Sequence, residues 1–249
     1  MPEPVNIPRP AEDRPPPPQS GHRFLIPELI VVIACVVLTK LFFDQVSWRF
    51  AGPMSMASTI AVVFIFARLR SESWSDFGLR RIAGLKAYLW VIPQILLGIF
   101  AIGATAAATN LGGEALGWWT IDVDVPEAQD RFAGLEGNLN LYLLWVGIAI
   151  FSAGIGEEVF FRGYLMRRIE GIFSPSPFTT ILMVTLPAVM FGIVHFYYLG
   201  IRGAVTITVI GIVIGSLYLL YRRNLWPLMA AHALIDIIGL TARYLDLDV

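Results

Sequence analysis

Six ionisable side chains stand in three otherwise apolar stretches of the sequence, and five of them are carboxylates or imidazoles, which can transfer protons. Placing an ionisable side chain in a bilayer costs about 2.5–3.5 kcal/mol by insertion scales, so such groups persist where they are paired, hydrated or functional. Carboxylates and imidazoles together can activate water. The side chains are Glu157, Glu158 and Arg162 in "GIGEEVFFRGYL", His195 in "FGIVHF", and His232 and Asp236 in "HALID".

Helical spacing gives the two adjacent glutamates different environments. Residues four apart share a helix face, whereas neighbours point about 100° apart. Glu158 and Arg162 are therefore predicted to form an ion pair. Glu157 points elsewhere with no local cation, and a carboxylate beside a fixed ion pair but not consumed by it is suited to act as a general base.

The same spacing recurs in the two later stretches. Phe191 stands one turn before His195, and His232 stands one turn before Asp236. Asp236 can accept a hydrogen bond from His232 and fix the orientation of the imidazole. Two histidines and two or three carboxylates from three helices are thus predicted to meet in one polar pocket that activates water.

The elements that must position these groups are apolar stretches long enough to cross a bilayer core, which takes roughly 20 residues of helix. The sequence predicts an all-α polytopic membrane protein with about seven transmembrane helices around a polar cavity. The predicted spans are 26–43, 53–68, 86–109, 140–165, 178–199, 203–221 and 225–244.

Loop charges predict how these spans are oriented. Arginine-rich segments follow the second, fourth and sixth spans, and the positive-inside rule places them in the cytoplasm. The connection 110–138, which is rich in Asp and Glu, falls on the other side. We therefore expect a multi-pass protein of the plasma or inner membrane with a cytoplasmic N-terminus.

Composition agrees with the membrane assignment and limits the partners. The chain of 249 residues is 56% hydrophobic and 15% charged, and its mean hydropathy is +0.68. These values lie outside the range of a soluble domain. A net charge of -1 offers no clustered positive field for nucleic acid. We expect a disordered Pro-rich tail over residues 1–23 and one transmembrane domain over 24–249, with its catalytic core at about 140–240.

The three charged stretches resemble the CPBP intramembrane proteases, which include CAAX prenyl endopeptidases and bacteriocin-processing or immunity proteins. "EEVFFR" (157–162), "FGIVH" (191–195) and "HALID" (232–236) are similar to the EExxxR, FxxxH and HxxxN/D motifs of that family, in the same order. The resemblance implies an endopeptidase in which Glu157 and His195 activate water and Arg162 holds Glu158. It also implies that His232 and residue 236 stabilise the oxyanion or help bind a metal. With these motifs we expect the fourth, fifth and seventh helices to surround a polar cavity that opens to the cytoplasm.

Asp236 departs from the asparagine that the CAAX-processing branch tends to carry. An ionised aspartate can only accept hydrogen bonds, so it cannot contact an oxyanion unless it is protonated. We therefore interpret Asp236 as the partner that orients His232.

A metal requirement is left open by the residues. Glu157, His195 and His232 could supply three ligands to zinc or another divalent metal, leaving the fourth position for water. No HExxH motif is present, and glutamate and histidine could equally activate water without a metal.

Three alternatives compete with a peptidase that acts on a peptide or membrane-protein substrate. The charged residues could form a structural ion-pair cluster between helices. The same fold could serve as a non-catalytic scaffold, chaperone or immunity factor. A proton-coupled transporter is disfavoured because no inverted repeat is found.

Overall fold

A computed structural model describes residues 24–121 and 125–247, which contain helices and no strand. This confirms the all-α fold class. The predicted tail over 1–23 and two acidic residues of the 110–138 connection, Asp122 and Asp124, lie outside the described residues. The α-helices are α1 (Leu25–Ser47), α2 (Ala51–Leu69), α3 (Leu85–Ala115), α4 (Pro126–Phe132), α5 (Leu139–Ile148), α6 (Met166–Ile172), α7 (Pro177–Ile193), α8 (Phe196–Leu220) and α9 (Trp226–Tyr244); a π-helix (Ala149–Leu165) joins α5 to α6, and short 3-10 turns lie at Trp48–Phe50 and Trp74–Phe77.

Four helical segments are long and apolar enough to cross a membrane, as expected for a polytopic protein. They are Leu25–Leu69, Leu85–Ala115, Leu139–Ile172 and Phe196–Leu220, and the first of them contains both α1 and α2. These four segments account for five of the seven predicted spans. The other two, 178–199 and 225–244, correspond to α7, an apolar helix of 17 residues, and to α9, whose 19 residues include His232, Asp236 and Arg243. Many apolar side chains on the outer helices are exposed, such as Leu38 (64%) and Phe100 (71%), which suits contact with lipid tails.

One end of the bundle is closed by arginines and their carboxylate partners, and we call it the basic end. Glu28 at the start of α1 is 3% exposed. It accepts hydrogen bonds from Arg70 after α2, from Arg168 Nε in α6 at 2.7 Å and from the Tyr164 hydroxyl at 3.0 Å. Each bond joins helices that are distant in sequence, so the basic end is fixed by buried ionic contacts.

The same end also gathers the connections 70–84 and 221–225. Arg223 Nη1 and Nη2 donate to the carboxylate of Glu170 at 2.5 and 2.6 Å, and these hydrogen bonds raise the pKa of Arg223. The backbone N–H of Leu225 donates to the carbonyl of Gly78 at 3.0 Å. The three arginine-rich segments therefore lie on one side of the bundle, as their sequence positions predicted.

The opposite end carries the 3-10 turn Trp48–Phe50, the segment 125–138 and the α7–α8 connection, and we call it the cavity end. Arg49 in the turn donates to the carbonyls of Arg131 and Ala133, both at 2.5 Å. The N–H of Gly137 donates to the carbonyl of Tyr244 at 3.1 Å. These bonds hold α4 and its flanking turns over the helix ends.

The predicted fifth span, 178–199, is wrong in its C-terminal part. α7 ends at Ile193 and α8 begins at Phe196, so His195 lies in the connection between them rather than inside a span. Gly200 then has φ 61° and ψ -164° inside α8, a conformation that is essentially restricted to glycine. The hydrophobic run continues through both breaks, which is why hydropathy alone did not reveal them.

The fourth span is helical as predicted, but the part with the charges is wound as a π-helix over Ala149–Leu165. π-Helical turns are rare in proteins, and those that occur are often found at functional sites. Glycine allows the close contacts that this segment makes: a Cβ at Gly154 would lie 2.8 Å from both Ala233 Cβ and the Met229 carbonyl oxygen of α9. The π-helix therefore packs directly against the helix that carries His232.

Candidate active site

Glu158 is the buried centre of the charged cluster. Its side chain is 0% exposed, and its Oε1 accepts hydrogen bonds from Arg162 Nη1 at 3.1 Å and from His232 Nδ1 at 2.8 Å. Arg162, which is 2% exposed, also reaches the Gly211 carbonyl of α8 at 3.4 Å. The predicted Glu158–Arg162 pair is thus present, and it connects the π-helix with α8 and α9.

The predicted hydrogen bond between His232 and Asp236 is absent. His232 Nδ1 is taken by Glu158 from the neighbouring helix, and the other ring nitrogen, Nε2, lies 3.9 Å from Asp236 Oδ2, which is too long for a hydrogen bond. Glu158 therefore orients His232. The spacing of four residues places Asp236 near the ring, but the carboxylate that accepts the hydrogen bond from His232 is Glu158, which belongs to a neighbouring helix.

Glu157 lies close to the cluster but takes no part in the hydrogen bonds around Glu158, as its position beside Glu158 predicted. Its Oε2 lies 3.9 Å from His232 Nε2 and has no hydrogen-bond partner among the described residues. A water molecule at ordinary hydrogen-bond distance from both atoms fits this separation. The free carboxylate oxygen is thus available to a ligand or a water.

His195 is held from one side, which leaves its other ring nitrogen free. Nδ1 lies 2.7 Å from the Phe191 carbonyl oxygen, and since a carbonyl only accepts, Nδ1 carries the proton. In the neutral ring, Nε2 is then an acceptor. The Phe191 ring packs edge-on against both imidazoles, with centroids 4.7 Å from His195 and 6.0 Å from His232.

A cavity of about 660 Å³ brings the predicted residues together. Its lining includes Glu157, His195, His232 and Asp236. Glu158 and Arg162 lie behind this surface and support it. Residues from three separated stretches of sequence thus face one space, as the sequence predicted, although among the described contacts Glu157 touches His232 rather than His195.

The cavity lies toward the cavity end, which conflicts with part of the orientation expected from sequence. Lys40, Asp44 and Arg243 from the outer turns of α1 and α9 line it, whereas Glu28, Arg70 and Arg168 of the basic end do not. A cavity that opens to the cytoplasm and a cytoplasmic basic end therefore cannot both hold. The conflict arises because the opening was inferred from family resemblance and the orientation from loop charge.

Three lining residues were missed by the sequence reasoning: Arg131, Tyr197 and Tyr198. Arg131 stands in the acidic connection 110–138, and the two tyrosines continue the apolar stretch that follows His195. Arg131 donates to the Tyr197 hydroxyl, and its guanidinium lies 4.4 Å from the centre of the Tyr198 ring. The pairing depends on a contact across 66 residues, which no local pattern encodes.

The three predicted metal ligands, Glu157, His195 and His232, all line the cavity. Within residues 24–121 and 125–247, no three His, Cys, Asp or Glu side chains are grouped as a metal site requires. Of the predicted ligands Glu157, His195 and His232, the first and last approach each other at 3.9 Å. The metal requirement therefore stays a prediction, with these three side chains as the ligands that it would use.

Fold and site together define a class: a polytopic helical membrane protein with carboxylates and imidazoles around a cavity between its helices. The family described as "Type II CAAX prenyl endopeptidase Rce1-like" matches residues 139–238, from the start of α5 into α9. Over these residues the match agrees with the resemblance drawn from the three motifs, and at family level it supports an intramembrane protease of the CAAX type. The matched segment contains all six residues predicted from the sequence. No curated protein and no solved structure matches the chain.

Proposed function

We propose that the protein is an intramembrane endopeptidase that hydrolyses a peptide bond of a membrane-associated or CAAX-like substrate with water activated by Glu157 and His195. The observation that carries the proposal is that Glu157, His195, His232 and Asp236 line one cavity. Behind this surface, Glu158 and Arg162 form a fully buried pair. The charged residues are therefore divided into a supporting pair and a set that can reach a ligand.

Water activation is assigned to the two groups with free acceptor atoms. Glu157 Oε2 has no hydrogen-bond partner within the described part of the chain, and His195 Nε2 is an acceptor because Nδ1 is bound to the Phe191 carbonyl. Either atom can take a proton from a water molecule that lies between them and the substrate carbonyl. General bases of this kind contribute about 10²–10⁴-fold to a rate.

The reaction balances with these groups alone. Glu157 takes one proton from water as the oxygen forms a bond to the carbonyl carbon, which gives a tetrahedral oxyanion. The C–N bond then breaks as the leaving nitrogen takes that same proton from Glu157. The products are a carboxylic acid and an amine, and Glu157 returns to its ionised starting state.

His232 is assigned to the oxyanion because of its second ring nitrogen. With Nδ1 donating to Glu158 at 2.8 Å, the protonated ring presents Nε2–H to the cavity, and the buried carboxylate stabilises its positive charge. A donor directed at the developing oxyanion is among the largest contributions to catalysis, about 10²–10³-fold. Asp236 can donate only when it is protonated.

The test compares cells that produce the wild type with cells that produce Glu157→Ala. Proteomics of membrane peptides should show fragments that depend on the wild type and disappear in the variant, while the amount of inserted protein is unchanged. Glu170→Gln is the matched control, because Glu170 pairs with Arg223 at the basic end and not with the cavity. Its fragment pattern should match the wild type.

Retained fragments in Glu157→Ala would remove the proposed base. If variants of Glu157, His195 and His232 all remained fully functional in a complementation assay, a non-catalytic membrane partner of the same fold would replace the peptidase.

A further inference from the structure

Arg131 is a buried cation at the cavity that the proposed mechanism does not use. It is 7% exposed and lines the same cavity as Glu157 and His195. Its backbone carbonyl is held by Arg49 at 2.5 Å, so the residue is fixed in place. A buried charge without a partner of opposite sign is costly, which makes this arginine a candidate for binding a ligand.

The described contacts of the Arg131 guanidinium are with hydroxyl and aromatic groups. Nη1 donates to the Tyr197 hydroxyl, and the guanidinium packs over the rings of Tyr198 at 4.4 Å and Trp145 at 5.4 Å. Among the residues that the structure describes, no carboxylate forms an ion pair with it within 4.0 Å. Lys40, the neighbouring cation, differs in this respect because Asp44 neutralises it at 2.6 Å.

We propose that Arg131 binds a carboxylate of the peptide substrate and thereby sets which peptides the cavity accepts. This inference rests on the proposed function and names a substrate feature for it. A guanidinium presents a planar fork of N–H donors that matches a carboxylate. The aromatic rings around Arg131 fix that fork, and no carboxylate of the described residues neutralises its charge.

The position of Arg131 relates the carboxylate to the bond that is cleaved. Tyr198 lies between the two sites, since its ring packs under the guanidinium and its centroid lies 5.7 Å from that of His195. An extended peptide spans about 3.3–3.6 Å per residue. A carboxylate at Arg131 therefore lies a few residues from a bond placed at Glu157 and His195, which suits a chain terminus or an acidic side chain near the bond.

The test measures binding, so that it does not depend on turnover. Full-length protein carrying Glu157→Gln is purified in detergent, immobilised, and offered three pools of apolar pentapeptides. One pool ends in a free carboxylate, one ends in an amide, and one ends in an amide with an aspartate before it. Retained peptides are quantified by mass spectrometry. We expect the free acids to be retained at least about tenfold over the plain amides, as charge-assisted bidentate bonds give.

Variants then assign the preference to Arg131. Arg131→Gln should abolish the discrimination between acid and amide, and Arg131→Lys should keep part of it. Arg202→Gln is the control, because Arg202 donates to the carbonyls of Thr120 and Ile121 and does not line the cavity. This control should discriminate as fully as the parent protein.

The third pool identifies the source of the carboxylate. Retention of the aspartate-containing amides would assign it to a side chain, and retention of the free acids alone would assign it to the chain terminus. Equal retention of acids and amides by the Glu157→Gln protein, or no retention of either, would overturn the inference even if Arg131 variants failed to fold. If the wild type produced no fragments beyond those of Glu157→Ala, while the acid preference was still found, the peptidase proposal would fall. The cavity would then be a carboxylate-binding site without cleavage.

Discussion

At the scale of single residues, two adjacent glutamates have different environments because their side chains leave the π-helix in different directions. Glu158 is enclosed and bound by Arg162 and His232, whereas Glu157 faces the cavity with a free oxygen. The sequence predicted this division from spacing alone. It could not predict that Glu158 also binds His232, because that bond joins residues 74 apart.

Arg162→Met should strongly destabilise the protein, because it removes the guanidinium that pairs with the buried Glu158 carboxylate. Removing one partner of a buried ion pair costs about 3–5 kcal/mol. The measurement is thermal or denaturant unfolding in detergent. Arg167→Met is the matched control: its side chain is 36% exposed and lies 3.3 Å from Glu72, and exposed pairs contribute about 0–1 kcal/mol. Equal losses in both variants would contradict the buried role of Arg162.

Asp236→Asn should preserve peptide cleavage. Asp236 lies 3.9 Å from His232 Nε2, and Glu158 already orients that ring, so the carboxylate is not needed to hold it. The amide that replaces it can also donate to an oxyanion. Cleavage of the fragments found with wild-type protein is the measurement. A loss of tenfold or more at unchanged protein level would show that the negative charge of Asp236 is required.

At the scale of elements, the close approach of the π-helix to α9 sets the position of His232. Gly154→Ala should cost about 1–3 kcal/mol as an overpacking change, since the new Cβ would meet Ala233 Cβ and the Met229 carbonyl at 2.8 Å. It should also lower cleavage, because the displaced α9 moves His232 away from Glu158.

Gly147→Ala is the control in the same helical segment. A Cβ at Gly147 meets nothing within 4 Å, and alanine is favoured over glycine in a helix by up to about 1 kcal/mol. Unfolding in detergent and cleavage are measured for both variants. If Gly154→Ala were as stable and as active as Gly147→Ala, the close packing of these two helices would not position the site.

The sequence predicted the existence of the helices better than their internal geometry. Long apolar runs predicted the positions of α1, α2 and α3, because a helix that crosses the lipid needs about 20 apolar residues. The π winding of Ala149–Leu165 and the break before Phe196 depend on how neighbouring helices pack, and apolar residues continue through both. His195 was therefore expected within a span and lies instead in a connection.

At the scale of the whole molecule, the basic end and the cavity lie on opposite sides of the bundle. By the positive-inside rule the basic end is cytoplasmic, so we predict that the cavity faces the other side. Single cysteines at Ala83→Cys (basic end) and Glu136→Cys (cavity end) in a Cys35→Ala background test this with a membrane-impermeant maleimide. Both positions are exposed.

Glu136→Cys should be labelled in intact cells, and Ala83→Cys only after the membrane is permeabilised. The reverse pattern would make the N-terminus non-cytoplasmic and the cavity cytoplasmic. The sequence could not answer this question of orientation. The family resemblance placed the cavity opening on the cytoplasmic side, and the loop charges placed the basic end there. Only the three-dimensional arrangement shows that the two lie at opposite ends of the bundle.

Glu28 also implies an order of events during synthesis. The carboxylate emerges with the first helix, but its partner Arg70 follows 42 residues later and Arg168 follows 140 residues later. A nascent chain can therefore pair Glu28 with Arg70 early, while the bonds from Arg168 to Glu28 and Glu72 wait until more than half of the polypeptide has left the ribosome. Truncated chains that end before Arg168 should leave Glu72 without this cation and the first hairpin without its tie to α6, and we expect quality-control proteases to degrade them.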